Sequence, residues 1–419
     1  SEVVATIAGH DKSVEYNGSE QSVEGYDFVE ASNKLYGEGD FAFSGTVVAK
    51  GMDVGTYKMN LASEQFANTS KNFSKVTFAV TDGTLTITPK SIVPDPENPK
   101  NTMSVDSPAD VVYNGQDQTW TPVVKDGERA LEPGKDYTVE YSTADRTNAT
   151  GKITVTIKGI GNYTGKVERT YQITQRPVEL KSEGGSKPYD GLALVKPEVS
   201  GWQQQGDTGF VTGEVSNVHA TGSVTTVAQG EVTNSIAYGT NAGFNANNYA
   251  ISKDEGALSV TAKQIAAADM AVQAPADVVY SGKAQQQKPV VKDGEKVLAE
   301  GVDYELTHSG NTTDAGTVTV TVTGKGNYAG SVDVAYRITP ALLTVATPSA
   351  SGVYNGKPLT AAGSVSGFVN GESAPFETTG SQTEVGSSAN TVSGITWDTA
   401  REGNYYIAAQ NNGTLTVTP

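Results

Sequence analysis

Apolar and polar residues alternate in short runs along most of this chain, which is the period of a strand with one buried and one wet face. Ile153, Val155 and Ile157 alternate with Thr154, Thr156 and Lys158, and Val318, Val320 and Val322 alternate with Thr319, Thr321 and Thr323. Each run is followed by a Gly- and Asn-rich stretch, GIGNYTG or GKGNYAG, and then by a second apolar run, Val167 to Ile173 or Val332 to Ile338. Glycine and asparagine accept positive φ at low cost, so both stretches predict turns between antiparallel strands. Lys125–Glu128 and Lys292–Glu295 each carry Asp-Gly between apolar flanks and predict two further hairpins. No window keeps a clean helical period beyond two turns; the nearest candidate, KQIAAADMAVQ at 263–273, lies where a first strand is expected.

The matching runs belong to a repeat. Residues 109–173 recur almost in frame as 276–338, from ADVVYNG and ADVVYSG at the start to TYQIT and AYRIT at the end. We call this type A. A second unit, type B, opens on Tyr189-Asp190-Gly191 and closes on Gly256-Ala257-Leu258-Ser259-Val260, and recurs with Tyr354-Asn355-Gly356 and Gly413-Thr414-Leu415-Thr416-Val417. The N-terminal segment shares Tyr16-Asn17-Gly18 and Gly83-Thr84-Leu85-Thr86-Ile87 and reads as a longer, divergent copy. The expected order is a type B module at 1–89, a Pro-rich linker at 90–100, type A at 101–175, type B at 176–262, type A at 263–339 and type B at 340–419. Repeats at this spacing indicate modular architecture.

Strand-rich units of this size close as antiparallel sandwiches. The expected fold is therefore all-β, a tandem array of small Ig-like sandwiches forming an elongated rod. A β-grasp is the alternative for single modules, and it requires a crossover helix that the pattern does not supply. Prolines punctuate the joints, above all in SIVPDPENP, while other modules run almost directly into the next.

Composition narrows the chemistry. The 419 residues contain no cysteine, which excludes thiol catalysis, disulfide scaffolds and cysteine-ligated metals. A formal charge of −17 argues against nucleic acid or anionic membrane as partner. No apolar run is long enough to insert in a membrane.

Together these residues resemble the bacterial Ig-like surface repeats of the MBG and YDG type, which occur in strings in large adhesins. Type A carries the resemblance best, through Tyr113, Gly115, Asp136, Tyr137, Gly151, Gly159, Gly161, Asn162, Tyr163, Gly165, Tyr171 and Ile173 and their copies in the second repeat. Type B matches mainly at its opening and closing motifs. The resemblance implies an extracellular location at the bacterial cell surface or cell wall. It also implies a stalk or adhesive role without specifying a ligand; the expected reading is non-enzymatic, with host glycan, mucin or matrix protein as partner. Two other roles remain open: an accessory region of a secreted glycan-processing enzyme, and a self-associating module for biofilm or surface-layer assembly.

Candidate site chemistry is sparse. His10, His219 and His308 fall in three different modules, so no local zinc spacing or triad arises. GIGNYTG joins two strands, with no helix to follow and bind phosphate. Asp136 and Asp303, each just before a tyrosine, are expected to accept backbone N–H groups at a turn. No cofactor is expected. The one metal alternative is calcium at Asp95, Glu97 and Asp106, set against a solvated acidic linker. Trp120 aligns with Gln287, which predicts an exposed ring, and Trp397 precedes a loop, so these two are the candidate ligand-stacking residues. Trp202 aligns with Phe368 and reads as core. Lys181 with Asn248 is the one candidate pair for an intramolecular cross-link. The tyrosines of the YNG and GNY motifs read as packed rings with satisfied hydroxyls.

Overall fold

A computed structural model describes residues 2–419, apart from the side chains of Ser393 and Ala409. The described residues form strands joined by turns and single 3-10 turns, with no α-helix. The chain is a tandem series of β-sandwiches, and the absence of a crossover helix among the described residues separates it from a β-grasp.

In type A, Ile153–Gly159 pairs antiparallel with Tyr137–Tyr141 on one side and Lys166–Tyr171 on the other. The second copy repeats this with Gly316–Gly324 between Tyr304–Ser309 and Ser331–Thr339. A facing antiparallel sheet is built from Met103–Val105, Val124–Asp126 and the short return Arg129–Ala130 across the predicted Asp-Gly turn. Its counterpart is Met270–Gln273, Val290–Asp293 and Lys296–Val297, so the ambiguous 263–273 segment is strand and turn. Met103, Val105 and Val124 from one sheet meet Ile157 and Val167 from the other in a shared core. The inward positions of the alternating runs, Ile153, Val155, Ile157, Val318, Val320 and Val322, are all fully buried.

Hairpins alone do not close these modules. In type B the opening strand runs parallel to a late one, as Glu2–Gly9 does with Lys75–Thr81 and Ala341–Ala346 with Tyr405–Asn411. The second strand runs parallel to the last, seen for Lys12–Glu15 with Thr84–Thr88, Gly185–Pro188 with Ala257–Thr261, and Ala350–Val353 with Gly413–Thr418. Type A does likewise with Val111–Val112 beside Ile173–Thr174. Because partners so paired lie far apart in sequence, local alternation reveals the strands but not this pairing.

One boundary differs from expectation. Lys90–Ser91, placed in the Pro-rich linker, is a strand paired with Tyr163–Thr164, and Ile92 is fully buried. The second copy uses Lys263–Gln264 against Tyr328–Ala329, followed by buried Ile265. An apolar Ile at this place gains more from joining the core than from staying in a spacer. The excursion that remains is closed by Asn101, whose Nδ2 donates to Val93 O at 3.0 Å. The GNY tip, expected as a tight hairpin, is wider for the same reason: its Tyr163–Thr164 step pairs with Lys90–Ser91. At its base Gly159 sits so close to Thr164 that a Cβ would lie 2.6 Å from the Thr164 nitrogen.

Contacts divide the chain into two units. One comprises Ser1–Leu180, Ser200–Val218 and Tyr238–Lys253, and the other Lys181–Val199, His219–Ala237 and Asp254–Pro419. Each is treated below by itself.

The alternation makes a direct prediction. Ile157→Ala should lower stability by about 2–5 kcal/mol in urea denaturation, because it removes buried methyl groups and leaves a cavity. Lys158→Ala, on the wet face of the same strand, should change it by less than about 0.5 kcal/mol.

Candidate functional site

The tyrosine motifs occupy one repeated place in the fold. Each opening tyrosine donates its backbone N–H to a threonine carbonyl on its module's closing strand: Tyr16 to Thr88, Tyr113 to Thr174, Tyr189 to Thr261, Tyr280 to Thr339 and Tyr354 to Thr418, all at 2.8–3.0 Å. The next residue then turns the chain. Asn17, Asn114, Asp190 and Asn355 each accept, through Oδ1, the N–H two residues on. The glycine that follows adopts φ of 69–79° in those four motifs. The tyrosine is thereby fixed where the chain leaves its module.

Four of the five rings meet a tyrosine from the following repeat, edge to face. Tyr16 meets Tyr163 at 5.5 Å between ring centroids, Tyr113 meets Tyr249 at 5.5 Å, Tyr189 meets Tyr328 at 5.6 Å and Tyr280 meets Tyr405 at 5.4 Å. Every one of these partners follows an asparagine whose Oδ1 accepts a backbone N–H from the preceding repeat. Asn162 takes Val54 N at 2.8 Å, Asn248 takes Ala149 N at 2.8 Å, Asn327 takes Val227 N at 3.0 Å and Asn404 takes Ala315 N at 2.7 Å. The Asn-Tyr pair is thus a two-point latch, an aromatic contact beside a polar bond. Pairing of this kind contributes about 0.5–1.5 kcal/mol for the rings beyond their buried area.

The polar surroundings differ by junction type. Where type A precedes type B, one carboxylate bridges both phenols: Tyr113 OH donates to Glu214 Oε1 at 2.6 Å and Tyr249 OH to Oε2 at 2.7 Å. In the other unit Tyr280 and Tyr405 donate to Glu372 at 2.6 and 2.8 Å. Burial, then the Glu214 bond and charge, push the Tyr113 phenol up to about 12. Burial and Glu372 do the same to Tyr280, also to about 12. Beside the first of these lies Arg176, 1% exposed, which donates to the carbonyls of Gly209, Tyr113, Gly206 and Thr208. Five donors in a planar fork suit it to gather several carbonyls at once. Ala341 stands at its place in the second junction.

Where type B precedes type A, a lysine joins the bridge. Lys90 Nζ donates to Asp126 Oδ1 at 2.8 Å and Tyr163 OH to Oδ2 at 3.3 Å. Lys263 and Tyr328 hold Asp293 in the same way, at 2.6 and 3.0 Å. Burial pushes the Asp126 carboxyl up, but the bonds from Lys90, Thr102 and Tyr163 outweigh it and hold the group below its ordinary value. Arg129 Nη1 also donates to Tyr16 OH, at 3.1 Å.

Of the residues singled out in the sequence, Asn248 and Trp397 sit at junctions, and the others lie elsewhere or serve the core. Trp120 is half-buried against the core, not an exposed ring. Its carbonyl accepts from Tyr141 OH, and at the matching place His308 Nε2 donates to Gln287 O. The position is held by its backbone carbonyl, which is why Trp and Gln can exchange there. Trp397 is also half-buried and stacks on Tyr405, centroids 6.2 Å apart, so it buttresses a junction. Trp202 is half-buried as well.

Asp95 Oδ1 accepts from Glu97 N and Asp106 Oδ1 from Val123 N. Among the described residues no group of three or more His, Cys, Asp or Glu is placed to hold a metal. Asp136 and Asp303 accept the N–H of Glu132 and Ala299, as expected for turn residues. Lys181 pairs with Asp254 at 2.9 Å, while Asn248 Nδ2 donates to Asn148 Oδ1. The asparagines were missed as site residues. Their signal was the Asn-Tyr dipeptide shared by two otherwise different repeat types.

No family model matches the chain. No curated protein matches it. Among solved structures it is similar to Sidekick-1 immunoglobulin domains 1–5, at 12% identity over 80% of each chain with a TM-score of 0.22. It is also similar to protocadherin gammaB7 EC3–6, solved as a cis-dimer, at 10% identity over 78% of this chain and 98% of that one, TM-score 0.22. A third is protocadherin gamma B2 extracellular cadherin domains 3–6, at 10% identity over 80% and 97%, TM-score 0.23. Similarity at these scores names no family and transfers no partner. No helix among the described residues is long and apolar enough to cross a membrane.

The phenols give the junction a pH signature. An unfolded tyrosine ionises near 10 and Tyr113 near 12, so the folded chain holds more protons between those values and its stability must fall as pH rises through that window. Stability should be unaffected by this group below pH 10. Tyr113→Phe should be less stable at neutral pH yet lose stability less steeply from pH 10 to 12, as followed by urea denaturation at each pH.

Proposed function

We propose that this chain is a spacing and display segment of an extracellular protein of the bacterial cell surface, built from repeats of the MBG and YDG kind and without catalysis of its own. The observation that carries the reading is the latch repeated at four successive joints. A chain that repeats the same ring contact and asparagine bond at each of these joints is organised to hold neighbours together. The most buried acid in the first unit's junction, Glu214, has both oxygens taken by phenols, which makes it a clamp and leaves it no substrate to protonate.

Display serves contact with host glycans, mucin or matrix protein. Capture by stacking on Trp120 or Trp397 is not favoured, since both rings are half-buried against their own modules. Acidity and the lack of cysteine fit a soluble, disulfide-free surface segment.

Single-molecule stretching of the whole chain, held at its two ends, tests this reading. Discrete unfolding events, each releasing chain on the order of 250 Å for about 80 residues, are expected. Tyr280→Ala should lower the force of some events while keeping the others. Smooth lengthening at forces too small to unfold any repeat would contradict a spacing role.

A further inference from the structure

Tyr354 is the fifth member of a set whose other four members are paired. Its N–H bonds Thr418 O at 2.9 Å and Asn355 Oδ1 takes Lys357 N at 2.9 Å, the same framing as Tyr16 and Tyr189. Gly356 has φ of 69°, against 76° for Gly18 and 79° for Gly191. Yet Tyr354 is 48% exposed, where Tyr16 is 5% exposed. Among the described residues its ring has no aromatic neighbour, unlike those of Tyr16 and Tyr189.

The polar half of the latch is also in place. In the middle type B repeat the N–H taken by the incoming asparagine belongs to Val227. The first type B repeat fixes the match for Val385: Val54, whose N–H is taken by Asn162, immediately precedes Gly55, which pairs with Ile87 of the closing strand, and Val385 immediately precedes Gly386, which pairs with Val417 at the same place. Val385 is 52% exposed, and Val353, next to Tyr354, is 69% exposed. The three lie together, since Val353 pairs with Thr418 and Gly386, next to Val385, pairs with the adjoining Val417, and an exposed cluster of one ring and two valines marks a contact surface.

We infer that the face formed by Tyr354, Val353 and Val385 is a docking socket for a type A module, whose Gly-Asn-Tyr turn supplies the tyrosine edge to Tyr354 and the asparagine carbonyl to Val385 N. The occupant is type A because both filled type B sockets, Tyr16 and Tyr189, receive the Gly-Asn-Tyr turn of type A. The motif Thr88-Pro89 that leads into the first type A repeat recurs as Thr418-Pro419 beside this socket. The inference rests on junction geometry, not on the spacing role, so the two can fail separately.

The test extends the full chain after Pro419 by a second copy of residues 90–175. Nitration of tyrosines by tetranitromethane is then followed by peptide mass spectrometry. Tyr354 should react readily in the 419-residue chain. In the extended chain its rate should fall by about tenfold or more, toward that of Tyr16, as expected when an exposed ring becomes protected. Replacing the appended copy's equivalent of Asn162 by alanine should restore part of the reactivity. If the appended module is folded, shown by slow nitration of its counterpart to Tyr171, and Tyr354 still reacts at the unextended rate, the inference is overturned. Failure of the appended module to fold beside an intact Tyr354 also overturns it, because the socket would then not support the module it is assigned. Loss of Tyr354 reactivity in the unextended chain as concentration rises would instead assign the face to a second copy and refute the type A occupant.

Discussion

The constraint on which the remaining structure depends is the desolvated Asn-Tyr latch between successive repeats. Small sandwiches bury a limited core, and without disulfides they have no covalent staple to compensate. Here the core does not end at the repeat boundary. Ile87 and Leu85 of the first repeat and Met103, Val124 and Ile157 of the second belong to one continuous apolar cluster. In the other unit Tyr280, Val318 and Tyr336 share a cluster with Leu343 and Tyr405. Each latch tyrosine is therefore both a surface residue of one module and a core residue of the pair.

The polar groups follow from that burial. A phenol or amide taken out of water must be hydrogen-bonded, or it costs about 1–3 kcal/mol. Glu214 and Glu372 accept two phenols each, and Asp126 and Asp293 accept a phenol and an ammonium. The asparagines complete the arrangement by meeting backbone N–H groups at the rim. Different side chains thus solve one problem twice, which explains how two unrelated repeat types can follow one another in either order. Arg176 is the exception in kind: it binds carbonyls in one junction only, and its counterpart Ala341 shows that the latch does not require it.

The strands were legible because a period of two is a local signal: Ile153, Val155 and Ile157 announce their own face. The roles of Asp136 and Asp303 were legible too, since a turn acid acts on N–H groups a few residues away. The latch was not, because Asn162 meets Val54 across more than a hundred residues and no local pattern names such a partner. Its trace was the recurrence of Asn-Tyr in both repeat types, read as internal packing when it serves the neighbour. Trp120 misled for a related reason. Exchange with Gln287 suggested an exposed side chain, whereas the fixed element is the carbonyl that Tyr141 or His308 reaches.

The most direct measurement is a double-mutant cycle on Tyr16 and Tyr163, each replaced by leucine, with stability read by denaturant unfolding. A latch that couples neighbouring repeats predicts an interaction energy of about 1 kcal/mol between the two positions. Additive effects, with no interaction energy beyond error, would show that the rings pack independently and would contradict the account.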